Sequence, residues 1–163
     1  MCARTRITRF LRDEDGTALV EFAIVLPMMI LLFAVIVEGS RLLIGYNSVI
    51  TGVRDAARYL SRVLPRDICA TGGSAAAWTS TVTTIVTRNV SGGSVLPSSV
   101  AVVSVTPGIA CTPGSYRGGT VGVATVTASF TVTYPFSGAF SLGGTAVPNE
   151  AATVTDRARI IGS

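Results

Sequence analysis

The chain has 163 residues, of which 48% are hydrophobic and only 13% are charged, so bulk disorder is excluded and there is room for one modest domain beside an apolar segment. The net charge of +4 comes from thirteen dispersed arginines and no lysine, a distribution that does not predict nucleic-acid binding. There is no histidine and the three cysteines are far apart, so neither a metal site nor another cofactor is expected.

Residues 1–16 read MCARTRITRFLRDEDG, a short segment without an apolar core that cannot itself act as a secretory signal. They are predicted to be a leader or a cytoplasmic tail. Their four arginines outnumber the lone Arg41 that lies beyond the apolar stretch that follows. The positive-inside rule therefore predicts a cytoplasmic N-terminus and an exported C-terminus.

The next stretch, from Gly16 to Val37, is apolar except for Thr17 and Glu21. Its length of about 20 residues is enough to cross the hydrocarbon core, so a transmembrane helix is predicted over residues 17–38. A cleavable signal peptide fits less well, because this apolar region is long. Glu21 is either a tolerated carboxylate near the membrane edge or a group that needs a partner within the membrane.

The residues around Gly16 resemble the processing site of class III (type IV) prepilins, in which a membrane peptidase cuts after the glycine. The resemblance lies in Gly16 itself, the apolar residues after it, and the pair Glu21 and Phe22. A longer pattern over about residues 13–62 is similar to TadE-like proteins, the minor pseudopilins of the tight-adherence (Tad/Flp) pilus. That pattern comprises DGTALVEFAIVLP, Glu38, Gly39, Arg41 and the run RDAARY from Arg54 to Tyr59.

This resemblance implies a leader over residues 1–16, cleaved between Gly16 and Thr17, and a pilin-like exported domain over residues 39–163. Thr17 would be the first mature residue, whereas many type IV pilins begin with a methylated phenylalanine. Glu21 would be the carboxylate used in assembly. The implied location is the bacterial inner membrane, with the domain in the periplasm or in the pilus at the cell surface. The implied partners are other pilin or pseudopilin subunits, the prepilin peptidase, the Tad inner-membrane assembly platform and membrane lipid.

Pro27 lies in the middle of the predicted membrane helix, where it removes a backbone hydrogen bond and predicts a kink or a loosened turn. Such a kink is ordinary in membrane helices. In a pilin-like subunit it would also help the helix to leave the bilayer and pack in a filament.

The helical pattern continues beyond Val37, with apolar residues at alternating spacings of four and three. This seam consists of Leu42, Tyr46, Val49, Val53, Ala56, Leu60 and Val63. It predicts that the helix extends from Thr17 to Leu64 and ends at Pro65. On the polar side Arg54, Arg58 and Arg62 repeat every four residues, which indicates either a solvated face or a contact with an acidic neighbouring subunit.

The rest of the exported part predicts one further helix and three strands. Ser74 is expected to cap the helix, whose apolar face would hold Trp78, Val82, Ile85, Val86 and Val90. The strands are predicted at Val100–Thr106, Val121–Tyr134 and Ala151–Ile160, the second with unbroken alternation. Cys69 and Cys111 would face an oxidising compartment, where they either form a disulfide or remain two buried thiols.

The predicted fold is therefore α+β: a long N-terminal transmembrane helix that continues into an exported domain with a second helix and a small antiparallel sheet. The leading functional hypothesis is a structural pseudopilin. The alternative is an uncleaved, single-pass, membrane-anchored module that binds an envelope partner. An enzyme is not expected, because without histidine or lysine the usual acid–base and nucleophile-activating pairs are missing and no catalytic residue stands out.

Overall fold

The computed structural model describes residues 15–114, 119–135, 137–140 and 148–162. The chain divides into two compact units, Met1–Val37 and Glu38–Ser163. The predicted leader, with Cys2 and its four arginines, lies almost entirely outside the described residues.

The first helix, α1, extends from Asp15 to Val63 and includes Pro27 without an interruption of the helix. It begins two residues before the predicted start and ends one residue before the predicted end. The ending has a local cause, because Pro65 cannot donate a backbone hydrogen bond and restricts the residue before it. Arg62 lies in the last turn, where a cation is favourable at the negative end of the helix dipole.

Within the second unit, one face of α1 is part of the hydrophobic core, as the seam predicted. Val49, Val53, Ala56 and Leu60 are fully buried, while Leu42 and Val63 are partly buried. Tyr46 is more exposed, yet its ring meets the edge of Phe130 with centroids 5.8 Å apart. The seam residues therefore pack within their own domain.

After α1 the chain forms a short helix, α2 (Ile68–Thr71), followed by a 3-10 turn (Ala76–Trp78) and helix α3 (Thr79–Thr87). The predicted second helix is thus divided in two. Ser74 is not its cap, because the N-cap position of the 3-10 turn is Ala75; Ser74 lies one residue earlier and accepts a hydrogen bond from the backbone N–H of Ala76. Val82 and Val86 are buried as predicted. Threonine hydroxyls donate to carbonyls one turn earlier, a contact that slightly destabilises a helix.

The placement of Val90 on the apolar face of that helix was wrong. The chain leaves α3 at Arg88, which has an extended conformation, and then turns between Asn89 and Gly93. Gly92 supplies the positive φ that this turn needs, with a φ of 81°. Val90 consequently lies on the turn, fully exposed.

Three antiparallel strands form one sheet in the order β1 (Val100–Thr112), β2 (Val121–Val132) and β3 (Glu150–Arg159). The first strand is longer than predicted, because pairing with β2 continues past Pro107 as far as Thr112. Proline is tolerated there because β1 is an edge strand, where one side of the backbone needs no partner. The predicted α+β fold, with its long apolar helix and small antiparallel sheet, is confirmed.

The two faces of the sheet differ as the alternation in β2 predicted. Alternate residues of β2 from Ala124 to Val132 are buried in the core, and their neighbours in sequence point to the opposite face. That outer face carries hydroxyl groups, which pair across the strands at Thr127–Thr155 and Ser129–Thr153. The core therefore lies between one face of the sheet and the helices of the second unit.

Candidate membrane anchor and assembly residues

The first unit presents apolar side chains on every side of α1. Residues 16–33 are almost all exposed, with Leu19, Ile24 and Met28 near 70% of full exposure. A helix that is hydrophobic all round is stable only when lipid or other protein covers it. Among the described residues α1 is the one helix long and apolar enough to span a membrane, so it is a candidate membrane anchor.

Gly16 and Thr17 lie in the first turn of α1. Gly16 is not among the glycines with a positive φ, and a Cβ built on it would meet no described atom within 4 Å. Among the described residues, neither backbone conformation nor packing explains a glycine at this position.

Glu21 is exposed in the first unit, between the exposed apolar side chains of Val20 and Phe22. It lies one helical turn after Thr17, so its carboxylate and the start of α1 share a face of the helix. No described residue forms an ion pair or a hydrogen bond with its carboxylate. If lipid surrounds this turn, an ionised carboxylate there is costly unless it has a partner, and none lies among the described residues.

Glu38 is a carboxylate whose burial the sequence reasoning missed. Its side chain is only 8% exposed, and Oε2 has no hydrogen-bond partner among the described residues. A signal was available, because Glu38 precedes Leu42 by one turn and therefore continues the apolar seam on the same face of α1. A buried polar atom without a partner is rare in folded proteins and destabilises the domain.

Cys69 in α2 and Cys111 in β1 are joined by a disulfide. Gly122 stands opposite Cys111 in the sheet, and a Cβ there would lie only 3.3 Å from the sulfur of Cys69. The glycine therefore leaves the room that the disulfide occupies. The bond links the segment after α1 directly to the far end of the first strand.

The three arginines that the sequence grouped lie along one helix but differ in their partners. Arg54 faces an acid of its own chain, with its Nε 3.8 Å from Oδ2 of Asp156 in β3. Arg58 forms a long ion pair of 4.0 Å with Asp55 on the same helix, and Arg62 is exposed. These pairs are solvent-exposed and long, so they neutralise the arginines only weakly.

Among the described residues no group of His, Cys, Asp or Glu side chains is arranged to hold a metal ion. The described features are a candidate membrane anchor that contains one carboxylate and an α+β domain with a disulfide. They define a class of proteins in which one long helix, apolar in its first part, continues into a small domain.

A known protein family matches part of this chain. Residues 16–58 match the family described as TadE-like protein, which confirms the resemblance over this segment. The match begins at Gly16 and covers the candidate anchor, Glu38 and most of the buried seam, and the family suggests a Tad pilus-associated protein. No curated protein and no solved structure matches the chain.

Proposed function

We propose that this protein is a minor pseudopilin of a Tad/Flp-type pilus, cleaved after Gly16 and acting in pilus assembly and surface adherence. The observation that carries the proposal is the TadE-like match, which starts at Gly16 and includes the exposed first part of α1, apolar up to Val37 except for Thr17 and Glu21. The helix holds the subunit in the inner membrane until assembly. Residues 39–163 then form the exported domain, in the periplasm or in the pilus.

Cleavage changes the chemistry at the start of α1. A new α-amino group forms on Thr17, and it is largely protonated at neutral pH. A cation is unfavourable at the N-terminus of a helix, where unpaired N–H groups and the helix dipole prefer an anion. Glu21 supplies that anion from one turn away, in the same chain or in an adjacent subunit.

Pairing between subunits would fix the axial position of one helix against the next and would neutralise both charges within the membrane. The unprocessed chain has no α-amino group at Thr17, so Glu21 would lack this partner until the peptidase acts. The mechanism thus makes processing a condition for assembly. It also assigns Gly16 and Glu21 to different steps, which experiments can separate.

The test compares Gly16→Leu with Glu21→Leu in cells that carry the pilus system, with blotting for size and isolation of pili. Gly16→Leu should block processing and assembly. Glu21→Leu should be processed and inserted in the membrane but excluded from assembly. Gly39→Leu is the matched control for processing, because a side chain at Gly39 also meets no described atom within 4 Å.

A second arm compares cells with and without their prepilin peptidase. A smaller protein only in cells with the peptidase supports the proposal. The same size in both would favour the uncleaved, membrane-anchored envelope binding module. Normal assembly of Glu21→Leu would instead reduce Glu21 to a tolerated residue at the membrane edge and remove its proposed role.

A further inference from the structure

The two edges of the sheet are protected to different degrees. On β1 the pairing shifts between Val102 and Ser104, and Pro107 lies within the strand. Bulges, prolines and charged side chains are the usual devices that prevent an edge from pairing with another chain. β3 contains charged side chains but neither a bulge nor a proline, and its ten residues pair with β2 without a shift from Glu150 to Arg159.

The other side of β3 has no strand beside it among the described residues. Every second backbone N–H and C=O group along an edge strand points outward and is available to a further strand. An uninterrupted edge of this length fits the recognition mode in which an extended peptide is added to a sheet.

Arginines border this edge on both faces of the sheet. On the inner side α1 runs beside the end of β3, because Arg54 pairs with Asp156 and the carbonyl of Ser61 accepts the N–H of Ile161 at 2.9 Å. Arg58 and Arg62 belong to the same stretch of α1. On the outer side, Arg157 and Arg159 stand opposite Thr125 and Val123, whose neighbours in β2 point into the core.

The charge around the edge is poorly neutralised. Near the edge the arginines outnumber the acidic residues, since β3 and the stretch of α1 beside it carry five arginines (Arg54, Arg58, Arg62, Arg157 and Arg159) and three acids (Asp55, Glu150 and Asp156). Asp156 and Asp55 are the acids that pair with these arginines among the described residues, at 3.8 and 4.0 Å. A second copy of the chain would bring the same excess of arginine to this edge, so the charge favours a partner of opposite sign.

We propose that β3 is a docking edge for an extended acidic segment of a partner protein. The segment adds a fourth strand beside β3, and its successive side chains point alternately to the two faces of the sheet. One set of acidic side chains reaches the row of Arg54, Arg58 and Arg62, and the other set reaches Arg157 and Arg159. This docking does not depend on cleavage after Gly16, so the two proposals fail independently.

The test uses the full-length protein in micelles of an uncharged detergent. The probe is a fluorescent decapeptide, equal in length to β3, in which pairs of glutamates alternate with pairs of valines, so that glutamates point to both faces of the sheet. A lysine–valine peptide of the same pattern tests the sign of the charge. A glutamate–proline peptide of the same pattern has the same charge but lacks backbone N–H groups on both sides of the strand.

Binding is followed by fluorescence anisotropy for the natural protein and for three double variants. Arg58→Glu with Arg62→Glu alters the inner side, and Arg157→Glu with Arg159→Glu alters the outer side. Arg41→Glu with Arg88→Glu is the matched control, since both arginines are exposed and neither belongs to this border. A thermal unfolding curve establishes that each variant is folded.

The glutamate–valine peptide should bind, and each border variant should weaken it by roughly tenfold or more, while the control changes it little. The glutamate–proline and lysine–valine peptides should bind far more weakly. Equal binding of the glutamate–proline peptide would overturn the proposal in favour of general polyanion attraction. Absence of binding, or no loss in either border variant, would show that the arginines only protect the edge.

Discussion

Both parts of α1 carry large apolar side chains, but the two parts differ in whether the protein covers those side chains. Up to Val37 its large apolar side chains lie on every side and are exposed. From Glu38 onward most of them lie on one face, where Val49, Val53 and Leu60 are fully buried. The later part is covered by its own domain, whereas no described residue covers the earlier part. One helix thus combines a candidate membrane anchor with part of a domain core.

The difference between the two parts of α1 is tested most directly by an aspartate substitution in each part. Val53→Asp buries an unpaired carboxylate among fully packed side chains and should destabilise the domain by more than about 4 kcal/mol, enough to unfold it. Loss of the near-UV circular dichroism signal of the purified protein measures this effect.

Met28→Asp is the matched substitution in the exposed part of the helix. It should leave the domain folded but weaken membrane insertion by about 2.5 to 3.5 kcal/mol, which fractionation of cells measures. If Val53→Asp left thermal unfolding unchanged, or if Met28→Asp unfolded the domain, the division between core and anchor would be wrong.

Removal of the disulfide is the next largest expected effect, and it should also act on the domain alone. The bond closes a loop of 42 residues between Cys69 and Cys111, so its loss should destabilise the domain by about 3 to 4 kcal/mol. Chemical denaturation of Cys69→Ser with Cys111→Ser, compared with the oxidised natural protein, measures the difference. Two free thiols in exported, natural protein would contradict the expectation that the bond forms.

Two glycines of α1, Gly52 and Gly39, differ in how closely another element packs against them. A Cβ at Gly52 would lie 2.9 Å from backbone atoms of Val86, so Gly52→Ala should destabilise the domain by about 1 to 3 kcal/mol. Gly39→Ala meets no described atom and should raise helix stability by up to about 1 kcal/mol. Differential scanning calorimetry of both variants should give shifts of opposite sign. Equal shifts would mean that α1 and α3 do not approach closely at Gly52.

Local patterns predicted the features that depend on neighbours in sequence. The spacing of the seam predicted its buried face, and the alternation in β2 predicted which side chains face the core. Features that depend on distant residues were not predictable. The extension of β1 past Pro107 follows from pairing with β2, and the ion pair of Arg54 joins a residue of α1 to Asp156 near the end of the described chain. The TadE-like match likewise ends at residue 58, before either partner strand begins.

The smallest expected effect concerns Glu38, the first residue of the second unit. Glu38 lies on the buried face of the seam, but its Oε2 has no described partner, so its burial costs stability that an apolar side chain would not. Glu38→Met keeps the length of the side chain and removes the polar atoms. It should therefore raise the stability of the domain by about 1 kcal/mol, seen as a higher midpoint of thermal unfolding.

Glu38→Gln retains polar atoms without the charge and serves as the control, with a smaller gain expected. A lower midpoint for Glu38→Met would show that the carboxylate forms a favourable contact, and the seam would then begin at Leu42 and not at Glu38.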